Sequence, residues 1–273
     1  MAKPLDEVEF TIFDTETTGL DPRTGDRIVE IAAIRFKGNQ RISTFQSLVN
    51  PNRDISEAAF QVNKITKEML RGAPTIDKIM PEFLDFVKGS CLCSYNATFD
   101  MEFLNKELEL MGRGMLEGVE IVDILKMTRR LMPGLEHHAL WSVADKFGIK
   151  RKQEHRALSD VELTLDVFYR LKDMLKSKRI DGFTNFTSLF SVNRRLLDNI
   201  NNQKISQIQQ AIDLGVKLRI KYLSNSNAKV SERDVLPKEI KQERNNSYLV
   251  GFCSLRNEER TFRTDGILHL EII

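Results

Sequence analysis

Apolar and polar residues near the start of the chain are arranged in a pattern that predicts β-strands. The first apolar run, VEFTIF at 8–13, is rich in β-branched and aromatic residues. Two similar runs follow at 27–38 and 40–51, and the polar segment KGNQ that joins them is typical of a hairpin turn. We therefore expect three strands that pair antiparallel.

The apolar spacing then changes to that of helices, with short strands between them. The pattern predicts helices around 56–71 and at 75–89, 97–112, 139–149 and 157–178, and strands at 90–96 and at the start of 119–133. Strands interleaved with helices indicate an α/β fold.

The composition changes after residue 178. Residues 179–204 are polar and rich in Asn, which predicts a linker or a loosely packed helix. A helix from 205 and strands within 216–224, 246–255 and 259–273 then predict a small, mainly β domain. The expected division is therefore a domain at 1–178, a linker at 179–204 and a second domain at 205–273.

Composition and charge exclude several classes of protein. The chain has 273 residues, 41% of them hydrophobic and 29% charged, as in soluble globular proteins. Lys and Arg number 41 against 39 Asp and Glu, so net charge does not decide for or against nucleic acid. Three cysteines do not suffice for a disulfide framework, and no apolar segment is long enough to cross a membrane. We expect a cytoplasmic protein with reduced thiols and no membrane association.

Four carboxylates and a histidine lie where chemistry is expected. Asp14 and Glu16, in FDTETTGL, point to the same side because side chains on a strand alternate. Asp100 follows the short strand at 90–94, and Asp160 begins a helix five residues after His155. Together they could form an acidic pocket for one or two Mg²⁺ or Mn²⁺ ions, with the histidine as a general base. The alternative for FDTETTGL alone is a solvated polar strand end.

Three segments in this order, FDTETTGL, SYNATFD and HRALSD, resemble the motifs of the DEDD 3′–5′ exonucleases. The position of His155 places the resemblance in the histidine branch, DEDDh, which contains the proofreading epsilon subunit of bacterial DNA polymerase III, ribonuclease T and oligoribonuclease. The resemblance spans about residues 7–175. It implies a ribonuclease H-like fold, with a mixed five-stranded sheet flanked by helices.

The resemblance also implies a mechanism, which is hydrolysis of the last phosphodiester with two divalent cations about 4 Å apart. Asp14 would bridge both ions, and Glu16 and Asp160 would hold the ion that binds the attacking water. Asp100 would support the second ion, and His155 would take the proton from that water. The products would be a nucleoside 5′-monophosphate and a strand shorter by one nucleotide.

Contacts with the terminal nucleotide are expected along the same motifs, and a structural role is the alternative for each residue. The candidates are Thr15, Thr17, Thr18, Gly19, Leu20, Asn96 and Phe99. Relatives often have a histidine where this chain has Asn63, which is a departure at a secondary substrate contact and not at the metal ligands. His137 and His138 are interpreted as capping or surface residues, and Trp141 as part of the core.

The C-terminal segments 218–240 and 246–272 resemble a WYL-type domain, which implies a small SH3-like β-barrel. The matching residues are Tyr222, Arg233, Pro237, Tyr248, Leu249, Arg260, Phe262 and Arg263. Ser247 replaces the usual tryptophan, and Gly266 stands where relatives usually have an arginine. A nucleotide or single-strand ligand is expected at Tyr222, Arg233, Tyr248, Arg260 and Arg263. The alternative is that these arginines pair with nearby glutamates.

The leading hypothesis is a metal-dependent 3′–5′ exonuclease that acts on single-stranded nucleic acid with a free 3′ end, in DNA repair or nucleic-acid turnover. DNA is favoured, and an RNA-specific exoribonuclease is one alternative. A second alternative is a non-catalytic regulator that binds nucleic acid and senses a nucleotide through its C-terminal domain. A third is an accessory subunit that docks on a polymerase. The sequence identifies no protein partner and no oligomeric state.

Overall fold

The computed structural model describes residues 3–116, 118–151, 153–244 and 246–273, without the side chains of residues 194–196. It contains two five-stranded sheets, with helices on both faces of the first. Its helices and strands match most of the predicted elements in type and place.

The first sheet is mixed, as predicted. Its strands are β1 (Glu9–Thr17), β2 (Ile28–Lys37), β3 (Gln40–Leu48), β4 (Cys91–Ser94) and β5 (Ile121–Asp123). The order across the sheet is β3-β2-β1-β4-β5. The first three strands pair antiparallel, whereas β4 is parallel to β1 and β5 is parallel to β4. β1 therefore lies at the centre of the sheet.

In the described part of residues 57–177, seven helices pack around this sheet. They are α1 (Glu57–Asn63), α2 (Lys67–Leu70), α3 (Ile76–Val87), α4 (Ala97–Leu110), α5 (Ile124–Leu131), α6 (Leu140–Lys146) and α7 (Ala157–Ser177). β1 is buried on both faces: Phe10 contacts Phe168 of α7 at 5.3 Å, and Phe13 contacts Phe83 of α3 at 5.9 Å between ring centroids. Helices on both faces of a central sheet are the arrangement predicted for the first region.

The segment expected to be a linker contains ordered structure. It includes α8 (Phe183–Phe190) and the start of α9 (Arg194–Leu214). Phe186 of α8 is fully buried and packs against Phe10 of β1, with 5.6 Å between ring centroids. The segment therefore contributes to the core under the first sheet, and the division into domains at 178 and 204 stays a prediction.

The second sheet is antiparallel throughout. Its strands are β6 (Leu218–Leu223), β7 (Val230–Glu243), β8 (Asn246–Cys253), β9 (Glu258–Arg263) and β10 (Ile267–Ile272), in the order β10-β6-β7-β8-β9. Among the described residues, β9 and β10 do not pair with each other. Such pairing would be needed to close a barrel. The antiparallel sheet is shown, and the SH3-like barrel stays a prediction.

Two features of this second sheet differ from the sequence prediction. β7 was not predicted, because most of its side chains are polar or charged and only two of them are buried, and Pro237 lies beside a bulge. The predicted strand at 259–273 is two strands, β9 and β10, separated by a 3₁₀ turn at Thr264–Gly266. Polar strands and a turn without a strong breaker give little signal in the hydrophobic pattern.

A cluster of basic side chains joins the second sheet to α5 and α9, and we call it the basic junction. It consists of Lys126, Arg130, Lys204 and Arg263 around Asp265. The Arg130 Nη1 donates to the Asp265 carboxylate at 3.1 Å, and Arg263 donates to it at 3.1 and 2.6 Å. Two buried nitrogens of Arg130, Nε and Nη2, have no hydrogen-bond partner in the described part of the chain.

Gly266 is explained by this junction. A Cβ built on Gly266 would lie 2.7 Å from the Tyr222 ring and 3.2 Å from Nη2 of Arg130. The absence of a side chain therefore lets β6 and α5 approach the turn closely. An arginine at this position, as in the relatives considered above, would not fit without movement of both neighbours.

The interpretation of Trp141 as a core residue is wrong. Its side chain is 58% exposed on α6, which instead buries Leu140, Val143 and Ala144. His138 is bonded to the backbone carbonyl of Met132 at 3.1 Å through its Nε2, and His137 is exposed. Over the described residues, we find no helix with the length and apolarity that a membrane span requires.

Candidate active site

Asp14 and Glu16 lie on β1 and share one side of it. The predicted strand at 8–13 ended too early, since β1 continues to Thr17. Its extension follows from pairing with β2, in which Asp14 lies opposite Ala32 and Glu16 lies opposite Glu30. Both carboxylates are therefore fixed by the backbone of the central strand.

Asp160 joins this pair from the first turn of α7. One ligand oxygen from each of Asp14, Glu16 and Asp160 lies within 4.8 Å of the other two. The start of α7 is attached to the sheet because Arg156 and the Ala157 backbone N–H both donate to the Glu30 carboxylate. The three carboxylates thus converge from two elements that pack directly against each other.

Asp100 enters the same cavity from the first turn of α4. Its Oδ1 accepts hydrogen bonds from the Thr15 backbone N–H at 3.0 Å and from the Thr15 hydroxyl at 2.7 Å. The Ser94 hydroxyl donates to Oδ2 at 2.5 Å. Asp100 is therefore oriented by β1 and β4, beside the three converging carboxylates.

Burial raises the pKa of each carboxyl group in this set, and the charges of neighbouring carboxylates raise the pKa of Asp14 and Glu16 further. Burial, followed by the charge of Asp160, raises the pKa of Glu16 to about 8. The pKa of Asp14 is raised by burial and by the charges of Asp100 and Glu16. Burial raises the pKa of Asp100 to about 6, although hydrogen bonds from Ser94 and Thr15 act in the opposite direction. Each of these carboxyl groups therefore favours its protonated form more than it would in water.

Asp160 follows the same trend with different partners. Burial raises its pKa, while hydrogen bonds from the Gln153 side chain and the Glu154 backbone N–H lower it in part. Those donors lie 3.1 and 3.2 Å from its oxygens. The segment before α7 therefore holds this carboxylate in place through neutral donors.

These four carboxylates fit a divalent cation. The set contains oxygen donors only, three of them within 4.8 Å of one another, and hard cations such as Mg²⁺ and Mn²⁺ prefer such ligands. A bound cation would also remove the repulsion that raises the carboxyl pKa values. Which of the two metals is used does not follow from the donor set.

His155 is exposed and lines the same cavity. Its backbone is in the left-handed region, with φ at 52°, which is uncommon for a residue other than glycine. Its charge contributes to lowering the pKa of Asp160. The imidazole is therefore at the mouth of the acidic cavity, where solvent can reach it.

The cavity has a volume of about 570 Å³, and we call it the carboxylate cleft. Besides the five chemical residues, its lining includes five of the seven predicted substrate contacts: Thr15, Thr17, Gly19, Leu20 and Phe99. Leu20 is 83% exposed, and Phe99 packs against Phe103 in a tilted arrangement with 5.0 Å between ring centroids. An apolar residue exposed at the rim is suited to contact with a flat apolar group.

The other two predicted substrate contacts are not in this lining. Thr18 is buried and its hydroxyl donates to Asp26 at 3.0 Å. Asn96 is exposed at the beginning of α4, with φ at 73°. Asp26 also explains why position 19 is a glycine. A Cβ on Gly19 would lie 2.2 Å from the Asp26 carboxylate.

Several lining residues were missed because they come from separate elements. Ser56, Ala59, Val62 and Asn63 belong to α1 or its cap, and Tyr95 and Gln153 belong to two loops. Tyr95 and Gln153 lie within or beside a motif, whereas Ser56, Ala59 and Val62 are far from any motif along the sequence. The departure at Asn63 is compensated structurally, because its side chain donates to the Thr17 carbonyl at 3.2 Å and supports the end of β1.

Glu30 is a further missed residue, and it is fully buried. Burial favours a higher pKa, but hydrogen bonds from Arg156, Gln46 and the Ala157 backbone N–H outweigh it and lower the pKa overall. A charged residue inside the apolar run EIAAI was the available signal. It connects β2 to the start of α7, and so positions Asp160.

The five residues expected to bind a ligand in the C-terminal region are not gathered on one surface. Arg263 lies opposite Tyr248 in the register of β8 and β9, and Arg260 lies opposite Gly251. Arg260 and Arg263 are three residues apart on one strand and so point to opposite faces. Tyr222 packs on Phe262, and Arg233 donates to Ser231.

Comparison with known proteins decides the family. Residues 11–168 match the family described as Exonuclease, and residues 203–272 match the WYL domain. The chain belongs to the exonuclease family. This confirms the resemblance drawn from the three motifs and, for the C-terminal region, the resemblance to a WYL-type domain.

Curated relatives include polymerase subunits. The chain is 37% identical over 205 residues to the DNA polymerase III subunit epsilon-like protein of Rhodobacter capsulatus, covering 72% of this chain and 28% of that protein. It is 39% identical over 165 residues to the DNA polymerase III subunit epsilon of Treponema pallidum, covering 60% of this chain and 76% of that one. PolC-type DNA polymerase III of Caldanaerobacter subterraneus is 33% identical over 183 residues, which is 67% of this chain and 13% of the polymerase. The chain thus spans less than a third of the length of the first relatives that it matches.

Solved structures share the fold at low sequence identity. The nuclease domain of 3′hExo, a DEDDh family member bound to rAMP, matches with a TM-score of 0.55 and 19% identity over 64% of this chain and 94% of that one. Exonuclease I matches with a TM-score of 0.54 and 17% identity over 95% of this chain and 63% of that one. The first sheet and its helices therefore have the exonuclease fold.

Proposed function

We propose that this chain is a metal-dependent 3′–5′ exonuclease that shortens single-stranded nucleic acid and releases nucleoside 5′-monophosphates. The observation that carries the proposal is the convergence of Asp14, Glu16 and Asp160 within 4.8 Å, in an open cleft that Asp100 and His155 also line. Family membership supports the reaction class, and the four-carboxylate set supports two divalent cations, Mg²⁺ or Mn²⁺.

In this proposal Asp14, Glu16, Asp100 and Asp160 would hold the cations, and bound cations would supply stabilisation of the charge on the phosphate. Thr15 and Ser94 keep Asp100 oriented, and Glu30 keeps the start of α7 against the sheet. The family resemblance assigns these residues their roles, and the geometry of the cleft is compatible with each of them.

His155 is proposed as the general base. Its imidazole accepts a proton from the attacking water, whose oxygen forms a bond to the phosphorus of the last phosphodiester. The bond from phosphorus to the 3′-oxygen of the penultimate nucleotide breaks, and that oxygen takes up a proton. An exposed histidine at the cleft mouth can exchange its proton with solvent after each cycle.

The substrate is proposed to be a strand with a free 3′ end, and DNA is favoured. The names of the relatives at 37% and 39% identity, both DNA polymerase III epsilon or epsilon-like, support DNA. Thr15, Thr17, Gly19, Leu20 and Phe99 line the cleft and are proposed to contact the terminal nucleotide. For Thr18 and Asn96 the structure favours structural roles, and we do not place them in the site.

The C-terminal region is proposed as a separate domain from about residue 205 that binds nucleic acid or a nucleotide, on the strength of its match to the WYL domain. The pair of Tyr248 and Arg263 offers an aromatic ring and a cation on one face. A location in the cytoplasm is compatible with three buried free cysteines.

The test uses purified chain, Mg²⁺ or Mn²⁺, and single strands of DNA and RNA labelled at either end. We expect stepwise shortening from the 3′ end that stops when EDTA is added and that is faster on DNA. Asp160→Asn should abolish shortening, and the matched control Asp173→Asn, an exposed carboxylate on the same helix, should retain it. Faster hydrolysis of RNA would favour the exoribonuclease, and binding without hydrolysis would favour the regulator.

A further inference from the structure

A second groove adjoins the carboxylate cleft. It has a volume of about 830 Å³ and lies between α6 and the segment before α7. Gln153 and His155 line both cavities, and Gln153 also donates to Asp160 at 3.1 Å. The groove and the cleft are therefore neighbours, separated by no more than the side chains that line both.

Trp141 forms the outer part of this groove. The chain contains a single tryptophan, and it is 58% exposed. α6 is attached to the core through Leu140, Val143 and Ala144, so packing does not require a large aromatic residue at position 141. An exposed indole beside a catalytic cavity is a surface on which a nucleic-acid base can stack.

The charge along the groove suits a phosphate backbone. Lys150 is exposed and forms no ion pair with any residue that the structure describes. Arg151 is 43% exposed and shares its charge with Glu162 at 2.6 Å and Asp166 at 3.4 Å. One acid, Asp145, also lines the groove. Cations interleaved with an aromatic residue are the usual means of holding a single strand without regard to sequence.

We infer that this groove, which we call the Trp141 groove, binds the single strand several nucleotides before its 3′ end. Trp141 stacks on a base, and Lys150 and Arg151 contact backbone phosphates. The inference rests on the proposed exonuclease function and adds to it a preference for strands long enough to reach from the cleft to Trp141. Hydrolysis of very short strands uses the cleft alone.

The single tryptophan makes this binding directly measurable. In the inactive Asp14→Asn chain, an eight-nucleotide thymidylate strand should quench the tryptophan fluorescence, whereas a dinucleotide should quench it much less at concentrations that compete for the cleft. The readout needs no hydrolysis. Equal quenching by both lengths, or none by either while the eight-nucleotide strand binds, would overturn the inference.

A second measurement uses the active chain. Trp141→Ala should lower the ratio of kcat/KM for the eight-nucleotide strand to that for the dinucleotide by about tenfold, because stacking on one aromatic residue contributes about 1–3 kcal/mol. Trp141→Phe should restore most of the ratio. The matched control is Leu110→Ala, which removes an apolar side chain of similar exposure far from the groove and should leave the ratio unchanged.

The contribution of Lys150 to strand binding can be measured separately, from the dependence of affinity on salt concentration. Lys150→Gln should reduce the slope of log affinity against log salt for the long strand by about 0.7, the value for one phosphate contact on a single strand. If neither length is hydrolysed by the wild-type chain, the proposed function fails. If both lengths are hydrolysed and neither variant changes its readout, only the Trp141 groove is wrong.

Discussion

The carboxylate cleft and the basic junction both bury several like charges, but they differ in how that charge is compensated. At the junction, Asp265 accepts hydrogen bonds from Arg130 and Arg263. In the cleft, the donors to Asp100 and Asp160 are hydroxyl, amide and backbone groups, and none of the described ion pairs involves Asp14, Glu16 or Asp160.

The pKa values of Lys204 and Glu16 show the same difference between the two sites. Burial lowers the pKa of Lys204 to about 8, although the charge of Asp265 acts against that shift. Burial raises the pKa of Glu16 to about 8, and the charges of its neighbours raise it further. The fold thus supplies a counter-charge where two parts of the chain join and omits it where the cavity is open. An omitted counter-charge is what a site for an external cation requires.

The largest effect is expected from Asp14→Asn. Hydrolysis should fall at least about 10³-fold, since residues that act as one catalytic unit lose most of the rate when one is removed. The melting temperature of the metal-free protein should rise at neutral pH, because a buried carboxyl group with a raised pKa destabilises the folded state there and an amide does not. Activity assays and thermal unfolding check both parts. A variant that is inactive and also less stable would indicate a structural role for Asp14.

At the basic junction we expect a substitution to lower stability and to leave activity unchanged. Asp265→Asn leaves Arg130 and its neighbours without a counter-charge, and should lower the free energy of unfolding by about 2 kcal/mol, below the range for a fully buried pair because Asp265 is partly exposed. Urea unfolding measures this change. The rate of hydrolysis of a dinucleotide should be retained, and a stability equal to that of wild type would break the comparison.

The pH dependence of the metal-free protein should differ between wild type and Glu16→Gln. The Glu16 carboxyl keeps its proton up to about pH 8 in the folded state and loses it near its usual pKa of 4.5 when unfolded. Folding therefore takes up protons in this window, and stability is full below pH 4.5 and is lost as the pH rises through 8. The melting temperature of wild type should fall relative to the variant between pH 6 and 9, and saturating Mg²⁺ should remove the difference. A difference that is constant with pH would contradict the shift.

The pH dependence of stability that Lys204 causes should be smaller than that of Glu16 and opposite in sign. Its folded pKa of about 8 lies below its usual 10.5, so the unfolded chain binds more protons between these values. Stability should therefore increase as the pH rises through 8 in wild type relative to Lys204→Met. Asp265 and Arg130 face the same amine and are present in both proteins, so the comparison isolates Lys204. Parallel curves for the two proteins would show that the amine titrates normally.

The sequence predicted the carboxylates and the histidine of the cleft better than it predicted the other residues that line it. The period of a strand places Asp14 and Glu16 together, and the motifs supply Asp100, His155 and Asp160. Local pattern does not reveal which distant residues complete the cavity, and so Val62 and Gln153 were missed. These positions depend on the packing of α1 and of the loop before α7, which are tertiary features.

The errors in the fold prediction have a related cause. Trp141 was assigned to the core because of its residue type, yet α6 presents Leu140 and Val143 to the core. β7 was missed because its side chains are mostly polar or charged, so that hydrophobic alternation is weak. The long strands and helices of the first region were predicted correctly. The β-branched apolar runs of its strands and the helical spacing of apolar residues in its helices are both strong and continuous.

Calorimetric titration of Mn²⁺ into the metal-free chain at pH 7, in two buffers of different ionisation enthalpy, tests the central claim most directly. We predict binding to wild type and to the matched control Asp173→Asn with release of protons, because raised carboxyl pKa values leave protons in the cleft that a cation displaces. Asp14→Asn should bind much more weakly. Binding of equal strength to all three proteins, or no binding to wild type, would contradict the assignment of the cleft as a metal site.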